Sequence, residues 1–187
     1  LVTAAKISPD GRHIAYTLSV PRRPMKDEDG PAWSELHVVD REGHSRPFVT
    51  GEVNVSKIAW TPDGSGVSFV AKRGKDKHPS LYVIPIDGGE ARRLVAHADA
   101  ISAYDWRPDG RQVAFLAKEP QDENEKKLKE KGFKAEVYEE NLRNVRVWIA
   151  EANIASTEEP KKEPRALTLP GSASELHWSP EIGRAHV

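Results

Sequence analysis

A proline, an aspartate and a glycine stand together three times in this chain, at Pro9-Asp10-Gly11, Pro62-Asp63-Gly64 and Pro108-Asp109-Gly110. Each triplet lies between two short apolar stretches, as in "ISPDGRHIAY", "AWTPDGSGVSFVA" and "DWRPDGRQVAFLA". A further proline, Pro180, follows Trp178-Ser179 in the same local frame, and successive prolines are 53, 46 and 72 residues apart. Proline presets φ at the second position of a type I turn, aspartate suits the third, and glycine accepts the left-handed backbone that follows. The chain must reverse at each triplet, so it is built from repeated hairpins.

The flanking residues give the rest of the unit. Short strands ending in an aromatic precede the turn, "SKIAW" (56–60), "ISAYDW" (101–106) and "SELHW" (174–178), and alternating strands follow it, "HIAYTLSV", "GVSFVA" and "QVAFLA". The second unit is complete: "SKIAW", "GVSFVAK", "LYVIPI" and "ARRLV" are four strands joined by three turns. Four-stranded repeats at a period of roughly 40–50 residues are the blades of a propeller, with longer intervals taken up by loop insertions. The fold class expected is all-β, a partial β-propeller of about three four-stranded blades with one short helical insert. Blades are expected at about 4–50, 55–96 and 101–170, with a fourth begun at 173–181.

Three segments break the rhythm. Residues 119–144 are charge-rich, and within them 123–131 favour a solvated helix that Gly132 can end. Such an insert is a surface decoration or a projection on a binding face. "STEEPKKEP" (156–164) is a second polar loop. At the end, "EIGRAHV" stands where the repeat calls for Asp-Gly; Ile182–Val187 reads as the translation of a sequencing-adapter string, and these six residues are expected to lie outside the native fold.

Several function classes are excluded or disfavoured. With 28 Lys and Arg against 29 Asp and Glu, the net charge of −1 offers no basic field for nucleic acid or an anionic membrane. No stretch has the ~18 apolar residues of a spanning helix. Cysteine is absent, which removes disulfides, thiol catalysis and cysteine-ligated zinc without fixing the compartment; bacterial cytoplasm and periplasm both stay open. No G-x-S-x-G elbow occurs, and the histidines at 13, 37, 44, 78, 97 and 177 show no metal-ligand spacing. An EF-hand frame on "DEDG" (27–30) would put Met25 and Leu36 where carboxylates are required, so that segment is a charged turn. Trp60, Trp106 and Trp178 recur at one strand end and read as blade packing. No catalytic residue, metal or cofactor is expected in these residues.

"ISPDGRHIAY", "WTPDG…VSFVAKRG", "SLYVIPIDGGEARRL" and "WRPDGRQVAFLA" together resemble the β-propeller of prolyl oligopeptidase family serine peptidases, particularly acylaminoacyl peptidase and dipeptidyl-peptidase relatives. TolB-like propellers share the Pro-Asp-Gly repeats, and a TolB-like protein-binding module is the alternative. The peptidase resemblance implies a non-catalytic propeller that caps an α/β-hydrolase domain and filters the peptides reaching it, so the partner implied is a peptide substrate. Within the insert, "VYEE" (137–140) looks like the Tyr-Glu-Glu with which dipeptidyl peptidases hold a substrate's amino group, which would make Glu139 and Glu140 substrate-binding residues through charge-assisted hydrogen bonds. Read from the residues alone, adjacent glutamates in a charged segment are solvated surface.

Overall fold

The computed structural model describes residues 1–120, 143–152, 154, 162–179 and 185–186. Three four-stranded antiparallel sheets follow one another along the chain. The first holds β1 (Val2–Ile7), β2 (His13–Val20), β3 (Trp33–Asp40) and β4 (Ser45–Val49). The second holds β5 (Ser56–Trp60), β6 (Gly66–Ala71), β7 (Ser80–Pro85) and β8 (Arg92–Val95). The third holds β9 (Ala103–Trp106), β10 (Gln112–Lys118), β11 (Val145–Glu151) and β12 (Arg165–Ala166). In each, the strands pair in sequence order, the meander that short hairpins dictate. Beyond them β13 (His177–Trp178) pairs with β14 (Ala185–His186). No helix occurs among the described residues; the short helix expected at 123–131 falls outside them.

The sheets stack face against face as blades, and their first strands approach one another, β1 with β5 and β9 with β13. Side chains alternate between the two sides of each strand, so each middle strand serves two interfaces. From β6, Val67, Phe69 and Ala71 meet Leu36 and Val38 of the first blade, while Val70 belongs with Val113 and Phe115 of the third. From β10, Ala114 and Leu116 turn the other way, toward Leu176. All six residues of β6 are buried, which is why this strand is apolar on both faces rather than alternating. On the first blade, the side that faces no other blade leaves Ile7 69% exposed, although Trp60 and Trp106 at the same repeat position are buried.

The Pro-Asp-Gly turns have the geometry their residues demand. Gly11, Gly64 and Gly110 have φ of 67°, 72° and 70°, and each donates its N–H to the carbonyl three residues back, on Ser8, Thr61 and Arg107. In the second turn the Thr61 hydroxyl donates to Asp63 Oδ1 at 2.7 Å, and Asp63 also accepts the Ser65 N–H at 3.0 Å and the Ser65 hydroxyl. Ser8 and Asp10 repeat the arrangement at 2.6 Å. In the third turn Arg107 replaces the hydroxyl and sets its Nε 3.3 Å from Asp109.

Partial burial opposes ionisation of Asp63, but the Thr61 and Ser65 hydrogen bonds outweigh it and hold its carboxyl below the ordinary 3.8. Such a group stabilises the fold at pH values above its unfolded pKa and loses that contribution as pH falls through the lower folded value. Asp63→Ala is therefore expected to cost about 1 kcal/mol near neutrality, discounted for solvent exposure. The gap from the parent chain should close as denaturation is measured from pH 5 downward; a gap that does not change with pH would contradict the account.

Adjacent blades are stapled by the recurring tryptophans. Trp60 Nε1 donates to Lys6 O of β1 at 2.8 Å, and Trp178 Nε1 donates to Asp105 O of β9 at 3.0 Å. At the middle junction a hydroxyl intervenes. Trp106 Nε1 donates to Ser68 Oγ at 2.8 Å, and Ser68 Oγ donates onward to Ala59 O at 3.0 Å, so the same carbonyl position is reached through one relay. The Tyr104 hydroxyl lies 2.9 Å from Ser68 Oγ, and its burial raises the phenol pKa. The knot stays neutral, satisfied and without a charge to desolvate.

Candidate functional site

Antiparallel order sorts the connections to two ends. The Pro-Asp-Gly turns share one end with the β3–β4 and β7–β8 hairpins and the β11–β12 link. The other end carries the β2–β3 loop, the β6–β7 loop, the C-terminus of β10 with the start of β11, and the links between blades.

The turn end is saturated from within. A Cβ on Gly64 would meet Pro9 Cδ at 3.7 Å, and one on Gly110 would meet Pro62 Cδ at 3.9 Å, so each turn rests on the preceding one. A groove of about 390 Å³ runs between the second and third turns, lined by Pro62, Asp63, Pro108, Asp109 and Ile154. Its carboxylates are already engaged, Asp63 as above and Asp109 by the Arg111 N–H at 3.0 Å. On the hairpin beside the first turn, Asp40, Glu42 and His44 are close enough to share an ion. Asp40 there accepts the His44 N–H at 2.8 Å, and the His44 ring lies 3.2 Å from its other oxygen; the cluster closes the hairpin.

The opposite end holds the irregular chemistry. The neck of the excursion is clamped: Glu119 N–H donates to Asn144 O at 3.0 Å, and Arg146 Nε lies 2.7 Å from Glu119 Oε1 while its Nη1 donates to Leu169 O and Gly171 O. Arg143 pairs with Asp99 on the link between the second and third blades. His97, two residues before, packs its ring 4.3 Å from Trp148 and accepts the Asp99 N–H at Nδ1, 3.1 Å away. Burial pushes the His97 pKa down, so the ring stays neutral and able to accept that bond. Nearby, Asp76 accepts the Tyr82 hydroxyl at 2.6 Å and pairs with Arg93 at 2.9 Å; burial first, then Asp76, pushes the phenol up to about 12.

The β2–β3 loop is built on two arginines. Arg22 lies 3.8 Å over the Trp33 ring and donates to Pro31 O and Glu28 O at 2.8 Å each. A Cβ on Gly30 would come within 2.8 Å of that guanidinium, so the glycine makes room for it. Asp27 takes the Arg23 N–H at 2.8 Å and its guanidinium at 3.1 Å, which leaves "DEDG" the charged turn expected from its sequence. Met25, at the tip, is 104% exposed with φ of 63°.

Glu139 and Glu140 lie outside the described residues. Sequence reading missed three features here: the Arg143–Asp99 pair, the Asp76 cluster, and the left-handed Met25 and Lys57. The Arg143–Asp99 pair joins residues far apart in sequence, where no local pattern signals them. The left-handed residues are not the Gly or Asn that such a backbone advertises.

No family model matches the chain. An uncharacterized peptidase, YuxL, of Bacillus subtilis is 32% identical over 94 residues, covering 50% of this chain and 14% of that protein. The matched residues thus span about a seventh of the length of that relative. Among solved structures, acylaminoacyl peptidase of Pyrococcus horikoshii matches 95% of this chain and 26% of its own at 12% identity, with a TM-score of 0.65. TolB of Acinetobacter baumannii matches 97% of this chain and 36% of its own at 18% identity, with a TM-score of 0.59. The β-propeller domain of the trilobed protease of Pyrococcus furiosus matches 95% and 46% at 15% identity, with a TM-score of 0.54. The fold is a β-propeller of the kind found in peptidases and TolB-like proteins. The resemblance read from the Pro-Asp-Gly repeats is supported by a curated relative that is itself a peptidase.

Proposed function

We propose that this chain is part of the propeller domain of a prolyl oligopeptidase family serine peptidase, a non-catalytic element that gates and helps bind the peptide hydrolysed by an α/β-hydrolase domain. The observation that carries the reading is the 32% identity over 94 residues to a peptidase, in a chain with a propeller fold. The division between the two ends supports it. One is closed by stacked, self-satisfied turns; the other presents a clamped neck at Glu119 and Asn144, a latched loop and clustered charge. On this reading Glu139 and Glu140 hold the substrate's amino group, and Glu→Gln replacement of both in the complete enzyme should raise KM for peptides with a free amino terminus and leave N-blocked peptides unaffected.

The likeness to TolB over 97% of the chain favours a second reading, a propeller that binds a protein partner without a catalytic domain. The coding DNA downstream of the Pro180 codon separates the two. A reading frame that continues through further blades into G-x-S-x-G, with Asp and His after it, supports the peptidase; blades followed by a stop remove it.

A further inference from the structure

One row of residues repeats across the second, third and fourth strands of every blade. Tyr16 lies opposite His37 and His37 opposite Pro47 in the first; Phe69 opposite Tyr82 and Tyr82 opposite Arg93 in the second; Phe115 opposite Trp148 and Trp148 opposite Ala166 in the third. The first two members stack in each blade, with ring centroids 5.5, 5.8 and 6.4 Å apart. The outermost member is what changes. Pro47 puts a ring without an N–H into the first edge strand, which blunts it. Arg93 crosses the second edge to pair with Asp76 at 2.9 Å. Ala166, a single methyl group opposite the largest of the three rings, leaves open the space that those side chains occupy.

A hollow of about 450 Å³ lies there, bounded by Trp148, Ala166, Leu169 and the Glu119–Arg146 pair. Trp148 is half-buried, its indole N–H is already given to Ala117 O, and Phe115 and His97 back its ring, so it turns apolar surface to the hollow. The backbone alongside is open as well. Leu167 N–H donates inward to Val147 O at 2.8 Å, and the alternation of an antiparallel ladder then points the N–H and C=O of Ala166 and Thr168 away from the sheet. Both residues are exposed, and among the described residues no strand pairs with this side of β12. Free backbone groups at two-residue spacing beside a side-chain hollow are what an extended peptide needs to add a strand: the ladder supplies affinity and the hollow selects a side chain.

We propose that the outer edge of the third blade binds an extended segment of a partner protein as a fifth strand. A large apolar or aromatic side chain of that segment, opposite Ala166, fills the hollow beside Trp148. The inference goes beyond the peptidase reading and does not depend on it. The probe is an N-acetylated, C-amidated hexapeptide of alternating threonine and valine with phenylalanine in place of one central valine. One companion carries alanine at that place, and two others carry N-methyl groups on alternate residues, one along each backbone edge. Each is titrated into the isotope-labelled 187-residue chain, and into its Ala166→Arg and Thr168→Pro variants, while the amide resonances are followed by NMR.

The Ala166 and Thr168 amides are expected to shift saturably, and the phenylalanine peptide to bind about tenfold tighter than its alanine companion, the worth of burying the ring. One N-methylated companion should lose binding and the other keep it, since only one edge of the peptide meets the sheet. Ala166→Arg, which supplies the residue the second blade has at this position, should weaken binding about tenfold by filling the hollow, and Thr168→Pro about fivefold by removing one N–H. Both side chains are exposed, and unchanged amide shifts in the first two blades show that the variants fold. No shift at Ala166 and Thr168 up to millimolar peptide, equal affinity for the phenylalanine and alanine peptides, indifference to both N-methyl series, or unchanged binding by Ala166→Arg would each overturn the proposal. Shifts at these amides that grow with protein concentration alone would assign the edge to a second copy of the chain, and overturn it too. None of these bears on the downstream DNA, which tests the peptidase reading separately.

Discussion

Trp106→Ala is expected to lower the free energy of unfolding by about 3–5 kcal/mol, the range for emptying a large aromatic site in a packed core. The indole is buried at the junction of the second and third blades, among Val70, Val113 and Phe115, where no loop can collapse into the space. The same change removes the donor to Ser68 Oγ, whose hydroxyl is fully buried and keeps only Ala59 O and Tyr104 as partners. Trp106→Phe separates the two losses: it keeps most of the ring and gives up the N–H, so it should cost about 1–2 kcal/mol. Trp178→Ala, at a site only partly buried, should cost less than Trp106→Ala. Urea denaturation of the variants reads these differences, and a Trp106→Ala chain within about 1 kcal/mol of the parent would refute the staple.

Gly66→Ala should cost about 3 kcal/mol, for a reason unrelated to backbone freedom. Its φ is ordinary, but a Cβ there would lie 2.7 Å from the carbonyl oxygen of Ile84. That oxygen belongs to the paired strand, held in register by Val67 opposite Ile84 and Gly66 opposite Pro85, so it cannot withdraw without breaking the ladder. Two positions away, Gly64 has φ of 72° and open space apart from Pro9, so Gly64→Ala should cost only about 1 kcal/mol of left-handed strain. The ordering of the two alanine variants, measured by denaturation, is the test: a Gly64→Ala chain less stable than Gly66→Ala would show that conformation rather than contact governs this hairpin.

These sites show what the sequence could and could not disclose. The turns were legible because Pro, Asp and Gly each do one local job. "GVSFVA" and "QVAFLAK" were legible because consecutive apolar residues with β-branching leave few alternatives to a strand. β1 was legible only as the start of the blade expected at about 4–50: "VTAAKI" has no terminal aromatic, since Ile7 takes the place that tryptophan fills elsewhere, and its residues are exposed. "RALTLP" promised a longer outer strand than the two residues that pair, because Arg146 draws Leu169 O and Gly171 O out of the ladder. The end opposite the Pro-Asp-Gly turns was the least legible. Its contacts join Arg143 to Asp99 and Arg93 to Asp76 across loops, and such pairings have no period to read.

Strands β6 and β10 work as party walls. Phe69 belongs to the room shared with the first blade, and Val70, its neighbour in the chain, to the room shared with the third. Residues adjacent in sequence are therefore strangers energetically, while Phe69 and Leu36, far apart along the chain, stand or fall together. A disturbance at the clamped neck of the third blade can reach the first only by passing through the wall of the second. Along such a row of rooms a message weakens at every partition, which makes each blade free to change its loops without consulting the others.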